Sequence, residues 1–358
     1  MKLVPLATAG LALAFALSSC SLIGDSGEPA AQPSGSSGTQ AGGKVVLVTH
    51  SDFALPKKLI RSFEDESGID LEVRASGDAG TLASQLALNA DHPLGDVAFG
   101  LDNTFAERPL QAGAFDALDV PLPDGTSDYA LPGDDGSKLA PVDNGDVCVN
   151  VDTDWFAAHH ERPPAGMDDL TKPAYKGLFV TSSPVSSSPG MAFLLATIAK
   201  YGDGWQGYWR DLLGNDTEIA DSWSDAYYGD FTQGGQKGTR PIVLSYSSDP
   251  AFTVSKDGRS TSTQALLDTC FRQVEYAGVL AGADNPAGAR AVVEWLMSAD
   301  VQAALPDSMY VFPVRDGVAL PKVWATYAQR PDQPWQVDPA RIADQRETWL
   351  EQWRDLAS

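Results

Sequence analysis

Aromatic residues stand beside serine and aspartate in two short segments, and this combination suits the recognition of a flat cation. Trp223 and Tyr227 lie in the segment 221–227, and Tyr246 lies in the segment 245–252. An aromatic face attracts a cation by about 0.5–2 kcal/mol, and a carboxylate accepts hydrogen bonds from an amino-substituted ring. The sequence therefore indicates a site for a planar, positively charged small molecule. The alternative is that the three aromatic residues only pack in the core or at its rim.

More polar segments follow other predicted strands. They span 49–53, 76–80 and 101–103. Open α/β sheets bind ligands at the carboxyl ends of their strands, so these segments are candidates for one common site. In the segment 186–190, Ser188 is a predicted helix cap and Pro189 the first helical residue, which leaves free amide groups for an anion or a hydroxyl.

Sequence signatures of catalysis are missing. The chain has no Gly-x-Ser-x-Gly, no P-loop, no His-Glu-x-x-His and no paired Cys-x-x-Cys. The neighbouring His159 and His160 point apart on any regular element and so cannot share a metal ion. We therefore expect a binding protein rather than an enzyme, with no catalytic residue, no metal site and no cofactor.

The charge of the chain excludes some partners. Lys and Arg total 25 against 48 Asp and Glu, which gives a formal net charge of −23. Such a chain is repelled by nucleic acids and by anionic lipid surfaces. An acidic surface is compatible with a cationic ligand, but it also serves solubility alone.

The amino terminus predicts export and lipidation. Lys2 precedes an apolar stretch, Leu3 to Leu17, that is too short to span a membrane comfortably and is typical of a signal peptide. The sequence Leu-Ser-Ser-Cys ending at Cys20 resembles a bacterial lipobox, which predicts a signal peptide over 1–20 and a lipid on Cys20. The alternative is ordinary cleavage nearby, with Cys20 discarded or free.

The segment after Cys20 predicts a tether. Residues 21–43 are rich in Ser, Gly, Pro, Gln and Ala, and they have too little apolar surface to fold. No later stretch has 18 uninterrupted apolar residues. The lipid is thus the only predicted membrane attachment, and it holds the protein on the outer, extracytoplasmic face of the cell membrane.

Two cysteines remain if Cys20 is lipidated. Cys148 and Cys270 favour a disulfide in an exported protein. Two buried thiols and one catalytic thiol remain as alternatives at this stage.

Short β-rich runs alternate with amphipathic stretches, which predicts an α/β fold around a largely parallel sheet. Strands are predicted at 45–48, 71–74, 97–100, 147–151, 178–181, 219–220, 242–246 and 274–280. Thr81 is the predicted cap of a helix that carries Leu82 and Leu86. The last helix shows Ile342, Trp349, Leu350, Trp353 and Leu356 along one stripe, which predicts a docking face.

Two lobes are predicted from the order of these elements. The stretch 120–141 is dense in Pro, Gly and Asp and predicts an irregular excursion, after which the chain crosses to a second lobe near 143–147. It returns near 271–280. The first lobe then comprises 44–145 with about 271–312, and the second comprises 146–270 with about 313–358.

Several collinear runs resemble the periplasmic thiamine-binding proteins of bacterial ABC transporters. They are Val-Ala-Phe-Gly-Leu-Asp-Asn at 97–103, Trp-Ser-Asp-Ala-Tyr at 223–227, Leu-Ser-Tyr-Ser-Ser-Asp-Pro-Ala-Phe at 244–252, Pro189-Gly190 and Phe-Pro-Val at 312–314. The similarity runs from about Val45 to the last helix. It implies a two-lobe fold with two hinge-crossing strands, thiamine or a thiamine phosphate in the interlobe cleft, and delivery to an ABC transporter permease. Such proteins are usually monomers.

The resemblance also implies roles for single residues. Asp78 matches the acidic residue that meets the aminopyrimidine, and Trp223 and Tyr246 match aromatic walls. Ser187 matches a serine near the hydroxyethyl or phosphate end, and Tyr227 belongs to a matched run.

This chain departs from the family pattern at four positions. His50, Phe252 and Asn144 stand where the family has tyrosine, and Tyr310 falls near a usual tryptophan. These changes leave thiamine, its phosphates and a related pyrimidine as candidate ligands. If His50 lines the cleft, its protonation should weaken the binding of a cation as the pH falls through its pKa, near 6.5 when unperturbed.

Two rival functions use the same fold. The adjacent Tyr227 and Tyr228 resemble the tyrosine pair of ferric-binding relatives, and phenolates suit Fe³⁺. Thiamine-degrading enzymes use a cysteine nucleophile, for which Cys148 is the candidate.

Overall fold

The structure is a computed structural model that describes residues 42–358 apart from residues 135 and 236. The predicted signal peptide, the predicted lipidation of Cys20 and nearly all of the predicted tether lie outside the described residues. No helix among the described residues is long and apolar enough to cross a membrane.

One sheet of nine strands organises this part of the chain. The strands are β1 (Gly43–Thr49), β2 (Ile69–Ala75), β3 (Val97–Asp102), β4 (Leu139–Asp152), β5 (Phe179–Ser182), β6 (Glu218–Ala220), β7 (Ile242–Tyr246), β8 (Thr263–Val279) and β9 (Phe312–Pro313). Their order is β2-β1-β3-β8-β4-β7-β5-β6, and β9 pairs with β4. Each predicted strand is present, but β4 and β8 extend well beyond their predicted ends.

The prediction of a largely parallel sheet holds only for the two flanks. β1 pairs in parallel with β2 and β3, and β5 pairs in parallel with β6 and β7. In the centre, the β3–β8, β8–β4 and β4–β7 pairings are antiparallel. The reason is that the chain runs out along β4 and returns along β8, so the two long strands have opposite directions.

β4 and β8 join the two flanks of the sheet. They pair from Leu139↔Gly278 to Asp152↔Thr263. The predicted crossings at 143–147 and 271–280 therefore lie inside these strands, and the irregular stretch 120–141 ends earlier than predicted because β4 begins at Leu139. The division into two lobes at the residues given above stays a prediction.

Helices cover the sheet. They are α1 (Lys57–Ser67), α2 (Ala79–Leu88), α3 (Glu107–Gln111), α4 (Thr153–His159), α5 (Met167–Leu170), α6 (Ser188–Tyr201), α7 (Trp205–Gly214), α8 (Pro286–Leu296), α9 (Ala299–Met309), α10 (Lys322–Tyr327) and α11 (Pro339–Ala357). Two predicted caps are displaced. Asp78, not Thr81, caps α2 by accepting from the Ala79 amide, and Ser187, not Ser188, precedes α6.

Both faces of the sheet are buried. Within β1, Val45 and Leu47 pack toward α8 and α9, whereas Val46 and Val48 pack toward α2. This explains why the strand has a continuous apolar run instead of an alternating pattern. The predicted docking stripe of α11 is confirmed, since Trp349, Leu350 and Trp353 are buried and Trp353 meets Trp209 of α7 edge to face at 5.6 Å between ring centroids.

Candidate ligand-binding site

A small cavity lies where several strands end. It is lined by His50, Asp52, Asp78, Ala79, Ser188, Pro189, Trp223, Tyr246, Glu275, Met309 and Val311. His50 follows β1, Asp78 follows β2, Ser188 opens α6 after β5, Trp223 follows β6, and Tyr246 ends β7. This is the carboxyl edge of the parallel flanks, where open α/β sheets bind ligands.

Asp78 presents one free carboxylate oxygen to this region. Its Oδ1 accepts from the Ala79 amide at 2.8 Å and so caps α2, whereas its Oδ2 is buried and has no hydrogen-bond partner among the described residues. Burial raises the pKa of Asp78, and the charge of Asp52 adds to this effect. The Ala79 amide, His50 and the nearby Ser187 hydroxyl oppose it, and the pKa is about 6. A buried acceptor without a partner is uncommon in folded proteins, and a donor on a ligand would satisfy it.

Trp223 and Tyr246 form an aromatic wall. Their ring centroids are 6.1 Å apart and their planes are inclined by 64°. The indole Nε1 of Trp223 donates to Ser245 Oγ at 2.9 Å, which fixes the orientation of the ring. Tyr246 lies against Gly145 of β4, where a Cβ atom would come within 2.8 Å of the tyrosine ring. The glycine therefore leaves the space that Tyr246 occupies.

His50 forms an ion pair with Glu275 of β8. Nε2 of His50 lies 3.7 Å from Oε2 of Glu275, and both side chains are buried. The ring passes close to the backbone at Gly100, whose φ is +94°, and a Cβ atom there would lie 1.9 Å from His50 Cδ2. Burial lowers the pKa of His50. The charge of Glu275, with smaller contributions from Asp52 and Asp78, outweighs the effect of burial and raises the pKa of His50 to about 9.

The environment of His50 is perturbed, so the unperturbed value of 6.5 does not apply to it. Glu275, a neighbour from a distant part of the sequence, raises the pKa of His50. The predicted loss of cation affinity on protonation of His50 is therefore expected at a pH above 6.5.

Further carboxylates lie beneath the cavity. Asp102 of β3 and Asp143 of β4 have no exposed surface, and neither oxygen of Asp143 has a hydrogen-bond partner among the described residues. Burial and the neighbouring Glu275 raise the pKa of Asp143 well above its usual range, and burial also raises the pKa of Asp102. These two carboxyl groups form an acidic floor of the site, in which burial favours the neutral, protonated form.

Two contacts hold the opposite sides of the cavity together. Ser224 Oγ, which follows Trp223, donates to Asp52 Oδ1 at 2.6 Å, and the Gly80 amide of α2 donates to the Ser186 carbonyl at 2.8 Å. The enclosed volume is about 40 Å³, room for only a few water molecules. A ligand with two rings therefore enters only when these two sides move apart.

Four of the predicted site residues do not line the cavity. Tyr227 stacks behind Trp223 with the ring centroids 5.3 Å apart. Phe252 packs edge to face on Tyr310 at 4.1 Å, and the Tyr310 ring lies 6.4 Å from that of Trp223. Ser187 is fully buried next to Asp78, and its Oγ has no hydrogen-bond partner among the described residues. Tyr227 and Tyr310 therefore pack against the aromatic wall, Phe252 packs against Tyr310, and Ser187 lies next to Asp78, all outside the lining of the cavity.

Asn144, one of the four departures from the family pattern, is held by hydrogen bonds at both ends of its side-chain amide. Its side-chain amide donates to the carbonyls of Phe312 and Pro313 at 3.3 Å, and its Oδ1 accepts from Arg330. It therefore ties β4 to β9, the short strand that follows α9.

Sequence reasoning missed Glu275, Met309 and Val311. Glu275 lies in a strand whose other residues are mainly apolar, and the available signal was the pair of polar residues Gln273 and Glu275 at alternate positions. Met309 and Val311 flank Tyr310, whose backbone has the left-handed φ of 63°. Apolar residues of this kind carry no sequence signal for a site.

The titration of Asp78 predicts a pH dependence for the binding of a cation. A carboxylate with a pKa of about 6 is charged above pH 6 and neutral below it, so the affinity for a cation should fall by about tenfold from pH 8 to pH 5. Dissociation constants measured at several pH values test this. An Asp78→Asn variant, measured in parallel, should lose the dependence, and a dependence that persists unchanged in this variant would assign the titration to another group.

The two rival chemistries find little support in this geometry. Tyr227 packs between Trp223 and Phe231, and burial raises the pKa of both Tyr227 and Tyr228, which disfavours phenolates. Within the described ranges, no group of three or more His, Cys, Asp or Glu side chains is arranged to hold a metal ion. Cys148 forms a disulfide with Cys270, and a bonded sulfur is not a nucleophile.

The fold and the position of the cavity define a class of protein. Solved structures with the same architecture include a periplasmic thiamin-binding protein, with a TM-score of 0.76 and 25% identity over 88% of this chain and 96% of that one. Iron-bound HitA from Pseudomonas aeruginosa also shares the fold, with a TM-score of 0.66 and 20% identity over 88% and 99% of the two chains. The predicted two-lobe periplasmic-binding-protein fold is thereby confirmed.

The family follows from the sequence. Residues 58–332 match the model of the bacterial extracellular solute-binding proteins, and the chain belongs to this family. It is 27% identical to the thiamine-binding periplasmic protein of Salmonella typhimurium over 83% of this chain and 87% of that protein. It is 26% identical to the protein of the same name from Escherichia coli, over 88% and 93% of the two chains. The chain is thus an extracytoplasmic solute-binding protein and not an enzyme, as predicted.

Proposed function

We propose that this protein binds thiamine in the cavity beside Asp78 and passes it to an ABC importer. The observation that carries the proposal is the buried, unpartnered Oδ2 of Asp78 next to the aromatic wall of Trp223 and Tyr246. Thiamine has an aminopyrimidine that donates hydrogen bonds and a thiazolium ring that carries a positive charge. Each of these groups has a counterpart in the cavity.

The chemistry assigns the parts of thiamine to the residues present. The amino group of the pyrimidine donates to Asp78 Oδ2, a charge-assisted hydrogen bond that is stronger than a neutral one. The thiazolium lies against the ring faces of Trp223 and Tyr246, where each contact contributes about 0.5–2 kcal/mol. Asp52 and Glu275, which also line the cavity, add negative charge that attracts the cation.

Capture and release need the two sides of the cavity to separate. The Ser224–Asp52 and Gly80–Ser186 contacts break for the ligand to enter, and the two sides then close on the ligand. We expect a monomer that docks on the permease of an ABC transporter and opens there. The names of the relatives support thiamine as the ligand, and their family supports a role in transport.

We also propose that the protein is anchored to the outer face of the cell membrane through a lipid on Cys20. A Cys20→Ala variant should lose the lipid and be recovered in the soluble fraction outside the cytoplasm, whereas the parent protein stays with the membrane. Labelling with a fatty acid and fractionation measure both properties. A variant that is still labelled would contradict the assignment of Cys20.

The binding proposal is tested by calorimetric titration of the purified protein with thiamine. One thiamine per chain with a dissociation constant below about 1 µM is expected, which corresponds to more than about 8 kcal/mol. A folded protein that takes up no thiamine would overturn the proposal.

A further inference from the structure

The charges that line the cavity are unfavourable for a phosphate group. Three carboxylates face it, those of Asp52, Asp78 and Glu275, and no lysine or arginine is among the described residues that line it. Phosphate esters are bound in proteins by arginine or lysine side chains, by backbone amides at helix starts, or by both. A phosphate here would meet like charges.

The one histidine among the described residues that line the cavity, His50, is surrounded by carboxylates. Its Nδ1 accepts from the Asp52 amide at 3.1 Å, and its Nε2, which has no hydrogen-bond partner among the described residues, lies 3.7 Å from Glu275 Oε2. Asp52 and Asp78 also act on its charge. With three carboxylates against one imidazole, the lining of the cavity keeps an excess of negative charge.

The single arginine on β4 and β8 is paired with another carboxylate. Arg272 of β8 donates to both carboxylate oxygens of Asp146, at 2.5 and 3.1 Å. Asp146 is an odd number of residues from Asp143 along β4, and side chains alternate between the two faces of a strand. This ion pair therefore belongs to the face opposite the acidic floor.

The predicted anion site at the start of α6 lies beside acidic side chains. α6 begins at Ser188, and Pro189 has no amide hydrogen, so one of the amides of a helix start is missing here. The hydroxyls at this start lie beside the protein's own carboxylates, Ser187 next to Asp78 and Ser188 next to Asp102. Thiamine phosphates would have to displace these carboxylates from the helix start.

From this arrangement we infer that the site selects the unphosphorylated cation and rejects its phosphate esters, and that the carboxylates around the cavity, Asp52 above all, cause the discrimination. The inference rests on the proposed function, since it names which form of that ligand is bound. Asp52 is only half-buried and lines the cavity, and its contact with Ser224 holds the two sides of the cavity together.

The test compares thiamine with thiamine monophosphate by calorimetry at pH 7.5. Because like charges brought together cost several kcal/mol, the monophosphate should bind at least about tenfold more weakly than thiamine. An Asp52→Asn variant retains an acceptor for Ser224. It should reduce the ratio of the dissociation constants of thiamine monophosphate and thiamine by at least about threefold. An Asp65→Asn variant makes the same change on the exposed side of α1 and should leave the ratio as it is.

Three outcomes would overturn the inference. Monophosphate binding within about twofold of thiamine, or tighter, would refute the selection while leaving thiamine binding intact. A large ratio that Asp52→Asn does not change would refute the role of this carboxylate. If the folded protein binds neither compound, the proposed function fails and the inference fails with it.

Discussion

An Asp78→Asn variant is expected to bind thiamine more than about tenfold more weakly than the parent protein, a loss of more than about 1.4 kcal/mol. Asparagine keeps the shape and the cap of α2, because its side-chain oxygen can accept from the Ala79 amide as Asp78 Oδ1 does. The change removes the negative charge and places an amide where Oδ2 faces the ligand. The loss therefore reports on recognition and not on folding.

A matched control separates this effect from a general change in charge. Asp91→Asn makes the same substitution at an exposed position shortly after α2, and it should leave the affinity for thiamine unchanged. Calorimetry on both variants, with thermal melts to show that they fold, measures the difference. If Asp78→Asn binds thiamine as tightly as Asp91→Asn, Asp78 serves only to cap the helix.

Removal of the disulfide is expected to have the largest effect on stability. Cys148 and Cys270 are 122 residues apart in the sequence, and their bond closes a long loop between β4 and β8. A bond of this kind restricts the unfolded chain, so a Cys148→Ala/Cys270→Ala double variant should lose about 2–5 kcal/mol of unfolding free energy. Urea denaturation of the double variant and the parent protein measures the loss.

Reductant provides the control for this experiment. The parent protein should lose a similar amount of stability in reductant, whereas the double variant should be insensitive to it. Two reactive thiols in the denatured, unreduced parent protein would show that the bond does not form and would contradict the prediction.

Strand positions could be predicted from the sequence because they depend on local apolar runs. The full lengths of β4 and β8 could not, since polar residues such as Asp143, Asp146 and Glu275 interrupt the apolar pattern in their centres. Asp143 and Glu275 lie where the two strands pass beneath the cavity, whereas Asp146 pairs with Arg272 on the opposite face. The apolar pattern that predicts strands is therefore interrupted where β4 and β8 run close to the cavity.

The first residue of α2 could not be predicted from the sequence either. Asp78 and Thr81 are both good caps by residue type, and local preference does not decide between them. The structure begins the helix at Ala79, which brings Gly80 against the chain before α6, where a Cβ atom would lie 2.7 Å from the Val185 carbonyl oxygen. A contact between distant segments therefore sets the helix start and, with it, the position of Asp78.

Candidate site residues were found where they cluster in sequence. Asp78, Trp223 and Tyr246 could be proposed from short motifs and the family resemblance, and the structure brings them together at one cavity. Glu275 could not, because its place depends on the pairing of β4 with β8, which sets Asp143 opposite Glu275. The pKa of His50 depends on its contact with Glu275, which the order β1-β3-β8 in the sheet brings about, so it was also beyond sequence reasoning.

Thiamine binding should be measured by calorimetric titration of the purified protein, after unfolding and refolding to remove any ligand carried through purification. We expect one binding site per chain and a dissociation constant below about 1 µM, with the affinity reduced in the Asp78→Asn variant and retained in Asp91→Asn. A correctly refolded protein that gives no heat of binding with thiamine would contradict this expectation and would show that the family's fold serves another ligand here.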